Sequence, residues 1–150
     1  MCLPVPDLAP VLDALHDDDI SDPRLRGVLT VVRSVAADGD RPDPVTLTAR
    51  YEADNGGNGL QGFANTVMDL FTSLPIAGYN VRAYLRATLT DALRRAVREL
   101  GYLTQYADAE PIAAVLHEYD QRTARVADLR RRLTDQTTNH PTNREEEQTA

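Results

Sequence analysis

Apolar residues along this chain recur with a helical period. Leu8, Val11, Leu12 and Leu15 stand at i, i+3, i+4 and i+7 and predict a short helix over 7–16, closed by the acidic run Asp17-Asp18-Asp19. Ser21-Asp22-Pro23 then supplies a cap residue and a proline suited to the first helical turn. Leu25, Val28, Leu29, Val32, Val35 and Ala36 follow on one stripe up to Gly39. Asp43-Pro44 repeats the start signal ahead of Val45, Leu47, Thr48 and Tyr51, which predict a third, shorter helix. Phe63, Val67, Met68, Leu70, Phe71 and Leu74 make a fourth, ending at Leu74-Pro75 with Gly78 loosening the exit. Both phenylalanines lie in it, so it is expected at the centre of a small core.

Between the third and fourth helices, residues 54–62 (DNGGNGLQG) hold four of the eight glycines and are expected to form a flexible surface loop. A phosphate-cradling loop is the sharper reading of such a run. It fails because that motif needs Gly-Lys-Ser/Thr opening a helix, and the chain contains no lysine.

From Asn80 to Leu133 the pattern lengthens. Asn80 is a candidate cap for a first arm whose apolar positions are Val81, Leu85, Leu89, Leu93, Val97, Leu100 and Leu103, with Gly101 a tolerated residue or a break. The repeat is interrupted at 108–111 (DAEP). It resumes as Ile112, Leu116, Tyr119, Thr123, Val126, Arg130 and Leu133, an alternation of fours and threes with Leu129 as a neighbouring apolar choice. The expectation is an all-α protein, with a helical head over 7–77, a long antiparallel helical hairpin over 80–133, and one domain spanning 1–133. Two arms of this length carry more apolar stripe than a small head covers, so part of the hairpin is expected to meet another protein. Residues 134–150 are nearly devoid of apolar side chains and are expected to form a disordered acidic tail.

Composition narrows the function classes. With 150 residues the chain is long enough to bury a core, and with no Trp and few aromatics that core must be built from Leu, Val and Ala. The net charge is −7, unevenly spread: residues 1–79 hold 5 Arg and 12 acids, 80–133 hold 10 Arg and 7 acids, and 134–150 hold 1 Arg and 4 acids. Head and tail are acidic while the hairpin is mildly basic. Because every basic residue is arginine, lysine-dependent chemistry is excluded. The single cysteine, Cys2, excludes an internal disulfide and a cysteine metal site. The opening residues lack a basic region followed by an apolar one, and no run approaches the ~18 apolar residues of a membrane span. A cytoplasmic protein without membrane association is therefore expected.

Candidate chemistry is sparse. His16, His117 and His140 fall on a helix end, a mid-arm position and the tail, and no two have metal-ligand spacing. The three consecutive aspartates point in different directions and suit a solvated loop better than a cation site. Ser21, Ser34 and Ser73 lack a nucleophile elbow, so nothing suggests an enzyme, a metal or a cofactor. The hairpin carries the remaining signal. Leu89, Leu93, Val97, Leu100, Leu116, Tyr119 and Val126 are the candidate partner or dimer interface. Arg94, Arg95, Arg98, Arg122 and Arg125 are its candidate rim, or an anion contact. With Arg82 and Arg86, the cluster Arg94, Arg95 and Arg98 also reads as a nucleic-acid stripe, but Asp91 and Glu99 interleave with it and rank DNA contact second. Arg130, Arg131 and Arg132 near a helix C-terminus are favourable with the macrodipole. Tyr79, Tyr84, Tyr102, Tyr106 and Tyr119 put five of the six tyrosines on or beside the hairpin, where amphipathic core edge and protein interface explain them equally well.

The runs Ser21-Asp22-Pro23-Arg24-Leu25-Arg26-Gly27-Val28-Leu29, Asp43-Pro44-Val45-Thr46-Leu47 and 74–85 (LPIAGYNVRAYL) together resemble the N-terminal domain of DnaB-type replicative helicases. There a similar helix start, a second Pro-led helix, a glycine-bearing loop, a Pro-led turn and a long hairpin follow in the same order. The resemblance covers most of 7–133 and rests on that order, since each motif alone is only a cap, a turn or a stripe. It implies a helical head with a hairpin, homodimerisation through the hairpin, and docking on replicative helicase, primase or a helicase loader. The ATPase motor and its Walker lysine have no counterpart in these residues, so ATP-driven unwinding is not expected of them. The acidic end 144–150 (REEEQTA) reads as a natural terminus, which favours a free-standing protein.

Overall fold

The computed structural model describes residues 5–73 and 81–138. These residues form six α-helices and no strand: α1 (Val5–Ala14), α2 (Pro23–Ala37), α3 (Pro44–Asn55), α4 (Leu60–Ser73), α5 (Val81–Tyr106) and α6 (Ile112–Thr138), with a 3-10 turn at Asp17–Asp19. The chain divides into two compact units, Met1–Val81 and Arg82–Ala150. The expected exit at Leu74-Pro75, the candidate cap Asn80, Cys2, His140 and the acidic end lie outside the described residues.

In the first unit the two Asp-Pro starts act as local physics requires. Pro23 and Pro44 each occupy the first helical turn, where a missing N–H costs nothing. Asp22 accepts a hydrogen bond from the backbone N–H of Arg24 at 2.9 Å, and the Arg24 side chain returns to the same carboxylate. One Asp43 oxygen accepts from Val45 N and Thr46 N, both at 2.9 Å. The N–H of Thr46 and then of Val45 hold the Asp43 carboxyl below the usual carboxylate range.

A depressed folded value means that Asp43 contributes stability above its unfolded pKa of about 3.9, and that this is lost as pH falls through the folded value. Asp43→Ala is expected to cost about 1 kcal/mol at neutral pH. Asp43→Asn keeps the cap but removes the titration. Thermal melts between neutral and strongly acidic pH are therefore expected to fall less steeply for the Asp43→Asn variant than for the unsubstituted chain.

Val28, Val31 and Val35 of α2, Leu47 of α3, and Phe63 and Val67 of α4 form the core of this unit, with Val32, Tyr51, Leu70 and Phe71 packed against it. Phe63 stacks on Tyr51 with ring centroids 4.1 Å apart and planes 11° from parallel, an arrangement worth about 0.5–1.5 kcal/mol beyond area burial. The fourth helix is thus central, as its two phenylalanines suggest.

The glycine-rich run is shorter and more ordered than a flexible loop over 54–62. α3 continues to Asn55, Gly56 closes it in the left-handed conformation (φ 58°), and α4 begins at Leu60. Gly59 is also left-handed (φ 72°), and a Cβ there would come within 3.0 Å of the Tyr51 hydroxyl. Gly59→Ala therefore combines backbone strain with a clash beside the Tyr51–Phe63 stack, and is expected to lower stability by at least about 1 kcal/mol in denaturant titrations.

The acidic run is not simply a solvated loop. Asp19 is buried, at 2 % exposure, and its carboxylate accepts from His16 N at 2.8 Å. The Arg33 guanidinium reaches the Asp17 carboxylate and the Leu15 carbonyl, tying α2 to the segment that precedes it.

In the second unit, α5 continues through Gly101 without a break. α6 folds back on α5: the Arg122 guanidinium donates to the Glu99 backbone carbonyl, and Leu103 lines the same notch as Val115 and Glu118. α6 also passes the expected end of order at Leu133 and runs to Thr138. The added residues are held by ordinary helix bonding. Asp128 meets Arg131 at 2.5 Å and Arg132 at 2.8 Å, pairs that steady the preceding turns.

Candidate interaction surface

The helical repeats of α5 and α6 separate into an inward stripe and a lateral one. On α5 the buried positions are Leu85, Leu89, Ala92, Ala96 and Leu103. An apolar ladder stepping strictly by four, such as Leu85, Leu89, Leu93 and Val97, advances about 40° around the helix at each step. By Leu93 and Val97 it has walked off the inward face, and Ala92 and Ala96 take over that face. Leu93 and Leu100 are half-buried, and Val97 is 51 % exposed.

On α6 the inward stripe runs Val115, Glu118, Arg122, Arg125, Leu129 and Arg132, with Leu129 at 0 % exposure and Arg132 at 8 %. It is rich in arginine because long aliphatic stems pack while the guanidinium groups find acceptors. Arg122 pairs with Glu118 and with the Glu99 carbonyl; Arg132 donates from Nε to Asp128 at 2.8 Å. Arg131 and then Arg132 hold the Asp128 carboxyl below its usual range. Extending the Arg122–Glu99 register along both helices sets Leu129 level with Ala92 and Arg132 level with Leu89, all four buried.

The positions Ile112, Leu116, Tyr119 and Thr123 of the alternation of fours and threes lie about a quarter turn or more away from that inward stripe, while half-buried Val126 borders it. Ile112 is 68 % exposed, Leu116 55 % and Tyr119 48 %. In two antiparallel right-handed helices, an offset of the same sign from the inward stripe leads to the same side of the pair. Leu93, Val97 and Leu100 of α5 are displaced in the same sense as Leu116, Tyr119 and Val126 of α6. These six therefore share one side of the hairpin, with Leu100 near the level of Tyr119 and Leu93 near that of Val126. The opposite side carries Tyr84, Tyr102, His117 and Gln121, all exposed, and so mixes aromatic with polar side chains.

Of the seven candidate interface residues, Val97, Leu116 and Tyr119 are exposed, Leu93, Leu100 and Val126 are half-buried, and Leu89 is fully buried. Leu89 offers no surface to a partner, because its position on α5 belongs to the inward stripe.

The five candidate rim arginines do not gather around this side. Arg94 and Arg98 point outward from the back of α5, Arg94 pairing with Asp91 at 3.2 Å. Arg95 and Arg125 are half-buried, and Arg122 is engaged inside the hairpin. Among the described side chains, the arginines that stand on the apolar side are Arg86 and Arg130, both exposed and both toward the end remote from the turn. Helical angle is the signal that places them there, and only a fixed inward face makes it readable.

Among the described residues no group of His, Cys, Asp or Glu is arranged to hold a metal ion, and no helix is long and apolar enough to cross a membrane. No family model, curated protein or solved structure matches the chain.

Proposed function

We propose that this chain is a non-enzymatic interaction module of DNA replication, a domain like the N-terminal domain of DnaB-type helicases, which docks through its hairpin on replicative helicase, primase or a helicase loader, or on itself. The observation that carries the docking role is the continuous apolar side built by Leu93, Val97, Leu100, Leu116, Tyr119 and Val126 on two helices whose inward stripes are separately satisfied. Contiguous exposed apolar surface of this kind costs solubility and marks contact sites. The assignment to replication rests on the order of the sequence motifs, two of which, Asp22-Pro23 and Asp43-Pro44, perform as helix starts; the third begins in 74–80, outside the described residues.

Immobilised chain is expected to retain helicase, primase or loader from a lysate of its source, and the Val97→Asp variant is expected not to. Retention of none of these three, or equal retention by Val97→Asp, would remove the proposal. DNA contact is the second reading, drawn from the outward placement of Arg94 and Arg98. With Arg94 already paired to Asp91 and the whole chain at −7, neither single- nor double-stranded DNA is expected to bind even at about 50 mM salt. Fluorescence anisotropy of labelled oligonucleotides checks this.

A further inference from the structure

We propose that Asn58 is a modification site: its side-chain amide is converted to a carboxyl through attack by the Gly59 backbone nitrogen, and the fold directs this chemistry to Asn58 rather than to the neighbouring Asn55.

The sequence places two Asn-Gly pairs side by side, Asn55-Gly56 and Asn58-Gly59, among six asparagines in all. The other four precede Thr66, Val81, His140 and Arg144, side chains that crowd the following nitrogen. Glycine has no Cβ, so its nitrogen can close on the preceding Asn Cγ. Nucleophile and amide belong to one chain, which makes the step intramolecular. The Gly59 nitrogen bonds to Cγ and gives up its proton, Nδ2 takes a proton and leaves as ammonia, and a cyclic imide remains. Water then opens the imide. Opening at Cγ yields aspartate, and opening at the former main-chain carbonyl yields isoaspartate, whose main chain runs through Cβ and Cγ. Neither route needs an oxidant or a reductant.

The two pairs are chemically alike and structurally different. Asn55 ends α3: its Nδ2 donates to the Tyr51 carbonyl at 2.9 Å, and the Gly56 N–H that would have to attack is bonded to the Glu52 carbonyl. Asn58 is exposed, and among the described residues its side chain has no hydrogen-bond partner and the Gly59 N–H no acceptor. A third pair, Asp38-Gly39, would form the same imide by losing water, and it is closed off too. Arg50 holds the Asp38 carboxylate, and the Gly39 N–H donates to the Ala36 carbonyl at 3.1 Å. The turn around Asn58 is closed by the Leu60 N–H on the Gly57 carbonyl at 3.3 Å, a long bond whose opening lets Asn58 rotate toward Gly59. Exposed backbone with few such bonds opens readily.

The product matters because Gly59 stands at a crowded joint. Its carbonyl accepts from Phe63 N at 3.1 Å, the bond that opens α4, and it lies against the hydroxyl of Tyr51, on which Phe63 stacks. Isoaspartate lengthens the main chain ahead of Gly59 and displaces it from both. Aspartate keeps the backbone and adds a carboxylate just before a helix N-terminus, where negative charge is favourable. The two products therefore move stability in opposite directions.

Ageing the whole folded chain in mildly alkaline buffer, which favours loss of the attacking nitrogen's proton, tests this. Cleavage after arginine releases residues 51–82 as one peptide that carries both pairs, and electron-transfer fragmentation separates aspartate from isoaspartate at each position. In the folded chain Asn58 is expected to convert at least about tenfold faster than Asn55, where two hydrogen bonds must open first. In concentrated urea the two are expected to convert at similar rates. Equal rates in the folded chain, faster conversion at Asn55, or no conversion at Asn58 while the unfolded chain converts, overturns the assignment. A preference for Asn58 that persists in urea overturns the role of the fold. The Asn58→Asp variant, which supplies one product directly, is expected to melt at or above the unsubstituted chain, and the isoaspartate fraction, separated by ion exchange, below it. An isoaspartate fraction that melts together with Asn58→Asp overturns the structural consequence.

Discussion

Leu129→Ala is expected to destabilise the hairpin by about 3 kcal/mol, the largest stability loss of any single truncation in α6. Leu129 is fully buried on a stripe otherwise occupied by half-buried Val115 and by Glu118, Arg122, Arg125 and Arg132. No other fully buried apolar side chain on that stripe stands ready to fill the space it leaves. Removing it also strips cover from Arg132, whose Nε bond to Asp128 depends on a largely dry setting. Leu116→Ala makes the contrast. At 55 % exposure Leu116 adds little to the fold, and its truncation is expected to change stability by less than about 0.5 kcal/mol. Urea titrations followed by far-UV circular dichroism measure both. Equal losses at the two positions would mean that the inward and lateral stripes of α6 have been assigned the wrong way round.

The second large effect concerns binding rather than folding. Val97→Asp combined with Tyr119→Asp places two charges in the middle of the apolar side, at residues that are 51 % and 48 % exposed. Helical content and unfolding midpoint should stay near those of the unsubstituted chain, because neither side chain supports the inward stripe. Partner affinity is expected to fall by about 100-fold or more, since central anchors dominate an interface and a desolvated, unpaired carboxylate opposes contact. Surface plasmon resonance against the bound partner gives the ratio. A loss of helicity in parallel with the loss of binding would point instead to a structural role for this side.

Much of the fold is legible in the sequence, for reasons that are local. The Asp-Pro starts at Pro23 and Pro44, the apolar stripe of α2, and the break at 108–111 each depend on residues within one turn of one another, and all reappear in the structure. Sequence and structure part where a local signal has two physical outcomes. Four glycines in nine residues suggest flexibility, yet left-handed Gly56 and Gly59 make a tight connection between α3 and α4. A polar composition suggests that order ends at Leu133, but bonding along an established helix carries α6 to Thr138.

The candidate surface is legible in composition but not in direction. Leu89 and Val97 belong to one ladder of fours in the sequence, and only the drift of that ladder around α5 sends one inside and the other out. Likewise Arg122 and Arg125 of α6 read as an interface rim until the inward positions are known. Their stems pack, and Arg122 bonds across to α5. Arg86 and Arg130, which flank the apolar side, stand apart from the denser cluster of Arg94, Arg95 and Arg98, so charge density alone points away from them.

Docking through the apolar side is tested most directly by titrating the folded chain and its Val97→Asp/Tyr119→Asp variant against the purified replicative helicase, primase and helicase loader of its source, by surface plasmon resonance. At least one of the three is predicted to bind the unsubstituted chain saturably, and the variant, equally helical, to lose that binding by about 100-fold or more. Saturable binding that survives in the variant, or no binding to any of the three, would contradict it.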